Sequence, residues 1–510
     1  MPLDERPCET CGARFSIAEP EPDFLEKVAP LFNRRIEPLP LPASCPGCRE
    51  LQRLAFRNEW NLYRRKCDAS GKDLISIYDA GSPYTVFDPK IWWSDDYDPL
   101  VFGRDIDFTR PFFEQFHDLN LAVPKAAIQN AKSENSDYTN YAGANKNCYL
   151  VVGSSYNEDC YYCYRVFQSR FVCDSYDLQR CESCYECLQG TGLYNCVYSR
   201  NCDNSSNLIH CRSCRSCKDC YGCTGLENKQ YCVFNEQMSA SDYEEKLTSL
   251  RQRIGDIALV GAPAADRKWY MLNCEDCSGD QLVNCSNCHS CFTQKGCQDC
   301  RYCGTSEDLR DCYDTSFAGN CELMYHTSNH RDGYHVLFSS LVWYSNDVIY
   351  STNCFSSANL FGCTGMKRNQ NCILNRQYSE AEYQVYARRL VAHMRETGEW
   401  GRYFPSSISP FPINSSVAFE YSPITEEKAR SLGYRWLDDD PTASGRGQNA
   451  SQPDGANPHC VVSGKAFRIT KQERELCDRL GVPLPTKSPD VRQKERMAQI
   501  ERRISSYIRT

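Results

Sequence analysis

The sequence predicts a mainly β protein built on a duplicated, Cys-rich parallel β-solenoid with inserted and capping helices. An N-terminal zinc ribbon and a degenerate ribbon-like C-terminal domain flank it. Three observations carry this expectation. Cysteines recur at multiples of three and often nine, as in Cys187 and Cys196, Cys202, Cys211 and Cys220, and Cys354, Cys363 and Cys372. Many directly follow Asn or Asp, as in Asn147-Cys148, Asn195-Cys196 and Asn371-Cys372; Asx side chains tolerate left-handed and turn conformations, so each pair marks a corner of the chain. Residues 222–247 (GCTGLENKQYCVFNEQMSASDYEEKL) match 362–387 (GCTGMKRNQNCILNRQYSEAEYQVYA) at an offset of 140, which is a duplication.

Each element follows in chain order. Residues 1–72 are the ribbon, in which Cys8, Cys11, Cys45 and Cys48 form two CxxC knuckles, Cys8-Glu-Thr-Cys11-Gly12 and Cys45-Pro46-Gly47-Cys48. Four thiolates in paired knuckles are the ligand set of a tetrahedral zinc site, and with every position filled by sulfur the ion is structural. One Zn2+ is expected. Residues 73–141 are an aromatic-rich cap expected to cover the first coil of the solenoid. Residues 142–268 and 269–398 are the two solenoid modules. They hold 28 of the 35 cysteines between Cys148 and Cys372, and between corners run short β-prone pieces such as CYLVV and NLIHC. The nine-residue step suggests a coil of about 18 residues. Each module is expected to end in an N-capped helix after Ser239 and Ser379, covering the open strand edge. Residues 399–436 form a C-terminal cover. Residues 437–458 (LDDDPTASGRGQNASQPDGANP) lack aromatics and are too polar to bury a core, so a disordered linker is expected. Residues 459–510 echo the ribbon: Cys460, Ser463, Gly464 and Phe467, then Ser488, Pro489, Val491 and Arg492, follow the order Cys8, Cys11, Gly12, Phe15, Cys45, Pro46, Cys48, Arg49. Three of the four ligands have become Ser, Ser and Val. Cys67-Asp-Ala-Ser70-Gly71 repeats the first knuckle a third time. A basic helix from Pro489, with Met497, Ile500, Ile504 and Ile508 on one face, is expected to close the chain.

Composition narrows the function classes. The 510 residues carry 58 basic and 66 acidic side chains, a net charge of −8, which argues against a polyanion binder acting along its whole length. No stretch approaches the ~20 apolar residues of a membrane span. MPLDERPCET has neither a basic nor an apolar leader region, so a cytoplasmic location is expected; in that compartment thiols stay reduced and disulfides are the weaker reading.

The stretch CETCGARFSI…PLPLPASCPGCRELQRLAFRN resembles small zinc-ribbon domains that open C-x-x-C-G-x-x-F and close P-x-x-C-P-x-C-R. Over nearly the whole chain, RNEWNLYRRKCDASGKDLISIY, WWSDDYDPLVFGRDIDFTRPFFEQF, SENSDYTNYAGANKNCYL and GCTGLENKQYCVFNEQ resemble an uncharacterised cysteine-rich family of candidate phyla radiation (Patescibacteria) bacteria. Some members have carried a family III CoA-transferase label, but no motif here supports that chemistry. The resemblance therefore implies no activity.

The remaining candidates are weighed on their residues. Runs such as Cys211, Cys214, Cys217, Cys220 and Cys223 can fill several tetrahedral sulfur sites, yet a buried ladder of small side chains explains their spacing better. His326, His330 and His335 are close enough in sequence for a surface metal site, although such a loop cluster is more often incidental. Arg49, Arg53, Arg57, Arg64, Arg65 and Lys66, with Trp60 among them, pair guanidinium groups with an aromatic as single-stranded RNA contacts do; a solvated helix with a packed aromatic face is the plainer reading. No phosphate loop, nucleophile elbow or HExxH occurs, so enzymatic activity is unsupported by motif. The expected role is a binding scaffold for a protein or RNA partner, engaged through the solenoid surface or the basic ribbon. A metal-handling or thiol-redox protein and an unrecognised enzyme are the alternatives.

Overall fold

The computed structural model describes residues 5–17, 20–251, 271–288, 291–300, 304–307, 310–313, 315–438 and 458–499. The expected linker lies almost wholly outside these residues, as do Cys303 and the terminal Ile500, Ile504 and Ile508.

A local conformational rule generates the solenoid. Every third residue adopts positive φ, as at Leu150 (51°), Gly153 (60°), Tyr156 (61°) and Asp159 (52°), so the chain turns a corner after each three-residue edge. Four corners close a square. Successive coils pair in parallel twelve residues apart, as shown by Tyr164↔Tyr176, Arg170↔Glu182 and Ser206↔Lys218 in the first module and Tyr334↔Asn346 in the second. The coil is therefore twelve residues rather than eighteen, and the nine-residue step spans three of its four edges. The described residues of the two modules make about 17 turns. Asn and Asp occupy many corners, yet Leu150, Tyr162, Phe171 and Leu323 take the same left-handed turn. A left-handed non-Asx residue costs roughly 1–2 kcal/mol alone, so closure of the ladder must impose it there.

The residue after each corner points inward and stacks on its equivalent twelve positions away. One column reads Cys148, Cys160, Val172, Cys184, Cys196 and Leu208, and another Cys163, Ser175, Cys187, Ser199, Cys211 and Cys223, all buried. The interior of the second module is more aliphatic, with Met324, Val336, Val348, Leu360 and Cys372 in one column.

Both modules end alike. The last parallel strand, Gln230–Val233 or Gln370–Ile373, folds back into an antiparallel pair with Glu236–Gln237 or Arg376–Gln377. The expected helices follow at Ala240–Arg251 and Glu380–Glu396. In the second, Ser379 and Glu382 form a reciprocal capping box.

The aromatic segment sits elsewhere than expected. Its helix Phe112–Ala122 packs on the last coils of the second module, where Phe112 meets Phe361 at 5.7 Å and Tyr350 at 5.6 Å, and Trp93 meets Phe355 at 4.8 Å. Missing side chains on the solenoid admit it: a Cβ on Gly362 would lie 2.6 Å from Phe112, and one on Gly365 2.7 Å from the Tyr97 hydroxyl. Glu399 fixes the helix start by accepting the Phe112 and Phe113 amides at 2.8 and 2.7 Å. The first coil meets the ribbon instead, through the Asn140 amide donating to the Asn58 and Glu59 carbonyls. Residues 399–436 cover the ribbon helix Pro46–Ala55, burying Leu54 and Ala55 against Ile413, Val417 and Ala418.

Candidate metal centre and its degenerate copies

Strands Glu5–Pro7 and Arg14–Ser16 form a small antiparallel pair that holds the first knuckle. Within it the Cys8 amide donates to the Ala13 carbonyl and the Gly12 amide to the Cys8 carbonyl, both at 2.8 Å. Gly12 has φ +75°, which closes this turn without a Cβ penalty. The second knuckle opens the helix Pro46–Ala55, and the Cys45 amide donates to the Cys8 sulfur at 3.2 Å. The four ligand sulfurs of Cys8, Cys11, Cys45 and Cys48 all lie within 4.8 Å of one another. Cys11 and Cys45 sulfurs are 3.9 Å apart, close to the about 3.8 Å edge of a tetrahedron with 2.3 Å metal–sulfur bonds. The packed sulfurs divide their protons unequally: the Cys48 thiol donates to Cys45 and draws its pKa down to about 5, while Cys48 itself is pushed up. These residues can hold a metal ion, and four sulfurs leave it no position for substrate.

The same unit recurs twice. At Cys67, the Cys67 amide reaches the Lys72 carbonyl and the Gly71 amide the Cys67 carbonyl, both at 2.8 Å, between strands Tyr63–Lys66 and Asp73–Ser76. At Cys460, the Cys460 amide reaches the Lys465 carbonyl at 2.9 Å and the Gly464 amide the Cys460 carbonyl at 2.8 Å, beside a His459↔Ala466 bridge. Gly71 and Gly464 keep φ at +69° and +68°. In the second copy the Asp88 amide donates to the Cys67 sulfur at 3.2 Å at the start of the helix Pro89–Trp92, matching Cys45 in the first copy. In the third, Ser488 precedes the helix Pro489–Gln499 and its amide binds the Cys460 sulfur. The ligand positions therefore read Cys8, Cys11, Cys45, Cys48, then Cys67, Ser70, Asp88, Ile91, then Cys460, Ser463, Ser488, Val491. Val491 packs on Cys460, Phe467 and Ile469 where the fourth ligand would stand. Asp88 and Ile91 escaped the sequence reading; the signal available was the proline after the third position in every copy.

Many solenoid thiols act as hydrogen-bond donors to the backbone, while bonds from Cys202 and Cys211 draw the Cys214 pKa down to about 3 and bonds from Cys211 and Cys220 draw that of Cys223 down to about 4. The Cys163 sulfur donates to the Tyr161 carbonyl at 3.3 Å and to Val172 of the next coil at 3.4 Å. Cys211 and Cys363 repeat this geometry. Serine does the same one step away, as Ser175 donating to the Cys173 carbonyl at 2.9 Å. Burial pushes the Cys163, Cys354 and Cys372 thiols up to about 12, so they remain protonated donors. Among the described residues, one further trio places potential ligands within 4.8 Å, Cys173, Asp174 and Glu473. Arginines already occupy it: Arg492 bonds Asp174 and, at 2.8 Å, Glu473, and Arg496 bonds Asp174 at 2.8 Å. This buried network and the apolar contacts of Leu476, Cys477 and Met497 clamp the third ribbon copy onto the face of Tyr161, Tyr185 and Val197.

Two sequence-predicted groups are dispersed. Arg49, Arg53, Arg57 and Trp60 are buried, with Arg49 paired to Glu21 at 2.8 Å and Arg57 to Glu59 and stacked 4.4 Å over the Tyr141 ring. They serve the interior, so the basic–aromatic surface expected for RNA is not formed. Arg64 and Lys66 remain exposed, and Arg65 donates to Asp68 at 3.0 Å. The three histidines separate as well. His326 stacks on Tyr403 at 4.6 Å, His330 lies inside the coil against the Ser339 and Val342 carbonyls, and His335 pairs with Asp347 at 2.7 Å.

No helix of the described residues is long and apolar enough to cross a membrane. In comparisons with known proteins, no family model and no curated protein matches this chain.

Proposed function

We propose that the protein is a cytoplasmic binding scaffold, in which a zinc-stabilised ribbon and two β-solenoid modules present rigid outer faces to a protein partner. The observation that carries this reading is the use of the interior thiols. Many are donors to backbone carbonyls, and in the column from Cys163 to Cys211 serine alternates with cysteine, which leaves the outward faces as the working surface and weakens a metal-storing role. Zinc suits Cys8, Cys11, Cys45 and Cys48 because a closed set of four thiolates is its structural coordination. Free thiols in such number suit a reducing compartment. Burial of Arg49, Arg53, Arg57 and Trp60 turns the partner class from RNA toward protein.

Two measurements test this. Elemental analysis of anaerobically purified chain is expected to find about one zinc per chain, and several metals per chain would hand the solenoid to the metal-handling reading. A photo-crosslinker placed at exposed Tyr156 or Tyr344, in cells, is expected to trap a discrete adduct that survives ribonuclease; an adduct that ribonuclease removes makes the partner RNA.

A further inference from the structure

The last coils of the two modules are built alike, yet among the described residues only the second carries a cap. At the offset of 140, Gly222, Thr224, Gly225, Phe234 and Asn235 correspond to Gly362, Thr364, Gly365, Leu374 and Asn375. The local turn is the same in both. The Asn235 side chain accepts the Thr224 amide at 2.8 Å and donates to its carbonyl at 2.9 Å, as Asn375 does with Thr364, both at 2.8 Å. In the second module all five residues are buried; in the first, Gly225, Phe234 and Asn235 are exposed. A Cβ on Gly225 would meet nothing within 4 Å, where one on Gly365 would meet Tyr97 and Val123 of the cap.

The open copy supplies one ring of the cap from its own chain. A Cβ on Gly222 would lie 2.5 Å from the Phe234 ring, as one on Gly362 would lie 2.6 Å from that of Phe112, and each ring meets the aromatic below it, Tyr221 or Phe361, at 5.7 Å. Phe112 is covered in turn by Phe113 and Phe116, whereas Phe234 stays 58% exposed. Charge is what differs between the copies. The column Ser340, Thr352 and Thr364, whose last hydroxyl accepts Lys125 of the cap, reads Arg200, Arg212 and Thr224 in the first module. Arg200 and Arg212 stand in parallel register, a like-charge pair, and among the described residues neither forms an ion pair. Glu227 beside them is matched by Arg215 at 3.7 Å. Glu236 stands where Arg376 pairs with Asp105 of the cap, so an acid is unwelcome at that end.

Resting on the scaffold reading, we propose that this uncapped end of the first module docks an apolar helix of a partner protein, which covers Phe234 and Gly225 and lays a carboxylate on Arg200 and Arg212. The filled copy shows that a helix, Phe112–Ala122, suits the surface. The arginine pair calls for an acid where the cap carries Lys125, because opposite charges across an interface select the partner and like charges reject it. Burial and the Arg212 charge already hold the Arg200 pKa down, a cost that a docked carboxylate relieves.

The test uses the purified full chain with benzoylphenylalanine in place of Phe234 and two synthetic peptides. One is residues 113–128, which omit Phe112 because Phe234 fills its place; the other is the same peptide with Lys125→Glu. At low salt the Lys125→Glu peptide is expected to crosslink about tenfold more than its parent, and a chain with Arg200→Glu and Arg212→Glu to reverse that preference. Gly225→Trp, which fills the open floor, is expected to stop both adducts while circular dichroism reports an unchanged fold. Equal crosslinking of the two peptides, an adduct with neither, or a crosslink from position 234 to a distant segment of its own chain or to a second copy overturns the proposal. If a ribonuclease-resistant adduct still forms at Tyr156 or Tyr344, the scaffold reading survives that failure and only this docking site is lost.

Discussion

Cys187 separates a hydrogen-bonding ladder from a metal store. It is fully buried, and its sulfur donates to the carbonyls of Tyr185 at 3.6 Å and Cys196 at 3.3 Å. Below it in the column Ser175 donates to Cys173 at 2.9 Å, and above it Ser199 donates to Val197 at 3.0 Å. A serine at 187 therefore inherits a position that its neighbours already fill with serine. Cys187→Ser keeps a donor for the same carbonyls and exchanges a weakly polar sulfur for oxygen, so it should cost under about 1 kcal/mol. Cys187→Ala removes the donor, worth about 1 kcal/mol, and leaves a small void worth about as much again, for a total near 2 kcal/mol. Cys187→Leu adds methylenes to an interior with no room for them and should cost about 3 kcal/mol. Urea unfolding of the three variants under reducing conditions, with metal content measured on each, checks the order. A Cys187→Ser protein that loses metal, or that is less stable than Cys187→Ala, would refute the reasoning, because only a thiolate ligand makes serine the worse replacement.

Three further outcomes follow from the packing. Asp174→Asn or Arg492→Met strands a buried charge and should weaken docking of the third ribbon copy by about 3–5 kcal/mol; amide exchange in Lys471–Leu480 and Pro489–Gln499 should accelerate while solenoid strands keep their protection, and unchanged exchange there sinks the clamp. Inside the coil, burial outweighs the Ser339 and Val342 carbonyls and holds His330 down to about 4. The unfolded chain takes this proton near 6.5, so between pH 6.5 and 4 it binds more protons than the folded one. The His330 contribution is then complete above pH 6.5 and lost on acidification, by about 3 kcal/mol at pH 4; a His330→Gln variant whose stability shows the same acid slope would remove His330 as its cause. Gly225 and Gly362 both have positive φ, but a Cβ on Gly225 meets nothing within 4 Å whereas one on Gly362 meets Phe112 at 2.6 Å. Gly225→Ala should cost about 1 kcal/mol of backbone strain and Gly362→Ala about 3 kcal/mol, the excess being lost cap packing. Equal costs in thermal unfolding would show that the cap does not rest on Gly362.

The solenoid and its duplication were legible because a repeating backbone forces a repeating side-chain rule. Cys after Asx marks an inward residue after a left-handed corner, and Asn195-Cys196 and Asn371-Cys372 both obey it. The coil length was not legible. Corners also fall on Leu150, Tyr162 and Phe171, where ladder closure overrides residue preference, so the Asx subset shows only some of the three-residue edges. The four-sulfur cluster of Cys8, Cys11, Cys45 and Cys48 was readable from spacing alone. Misreading the basic stretch has a definite cause: Arg49, Arg53 and Arg57 recur at helical spacing, and the sequence holds no local sign that Glu21 and Tyr141 come from elsewhere to bury them. The Asp174–Arg492 pair spans more than 300 residues, and Lys125 meets Thr364 across the cap interface, so neither is visible to pattern.

The three ribbon copies differ in what closes them. In all of them an amide-to-sulfur bond joins the knuckle turn to the helix start, from Cys45 to Cys8, from Asp88 to Cys67 and from Ser488 to Cys460, and a backbone bond runs beside it, from Glu9 to Ala43, from Asp68 to Val86 and from Val461 to Thr486. Two such bonds are worth only about 2 kcal/mol together, little to close the unit alone. In the second copy, Asp68 adds a tie by accepting the Val86 amide at 2.6 Å and Arg65 at 3.0 Å. In the third, Val491 fills the fourth ligand position and Arg492 beside it reaches Asp174 on the solenoid, so docking closes the unit from outside. The first copy has Cys11 facing solvent, and the Thr10 and Ser44 hydroxyls bond each other at 2.8 Å across its knuckles. There the four sulfurs stand where they can share a cation. Transplanting ligands tests this directly: Ser463→Cys, Ser488→Cys and Val491→Cys in one chain should create a second tetrahedral thiolate site and raise bound zinc from about one to about two per chain. A chain that folds with its Cys460 site still empty would mean that the third copy has drifted from ribbon geometry and shares only its turn.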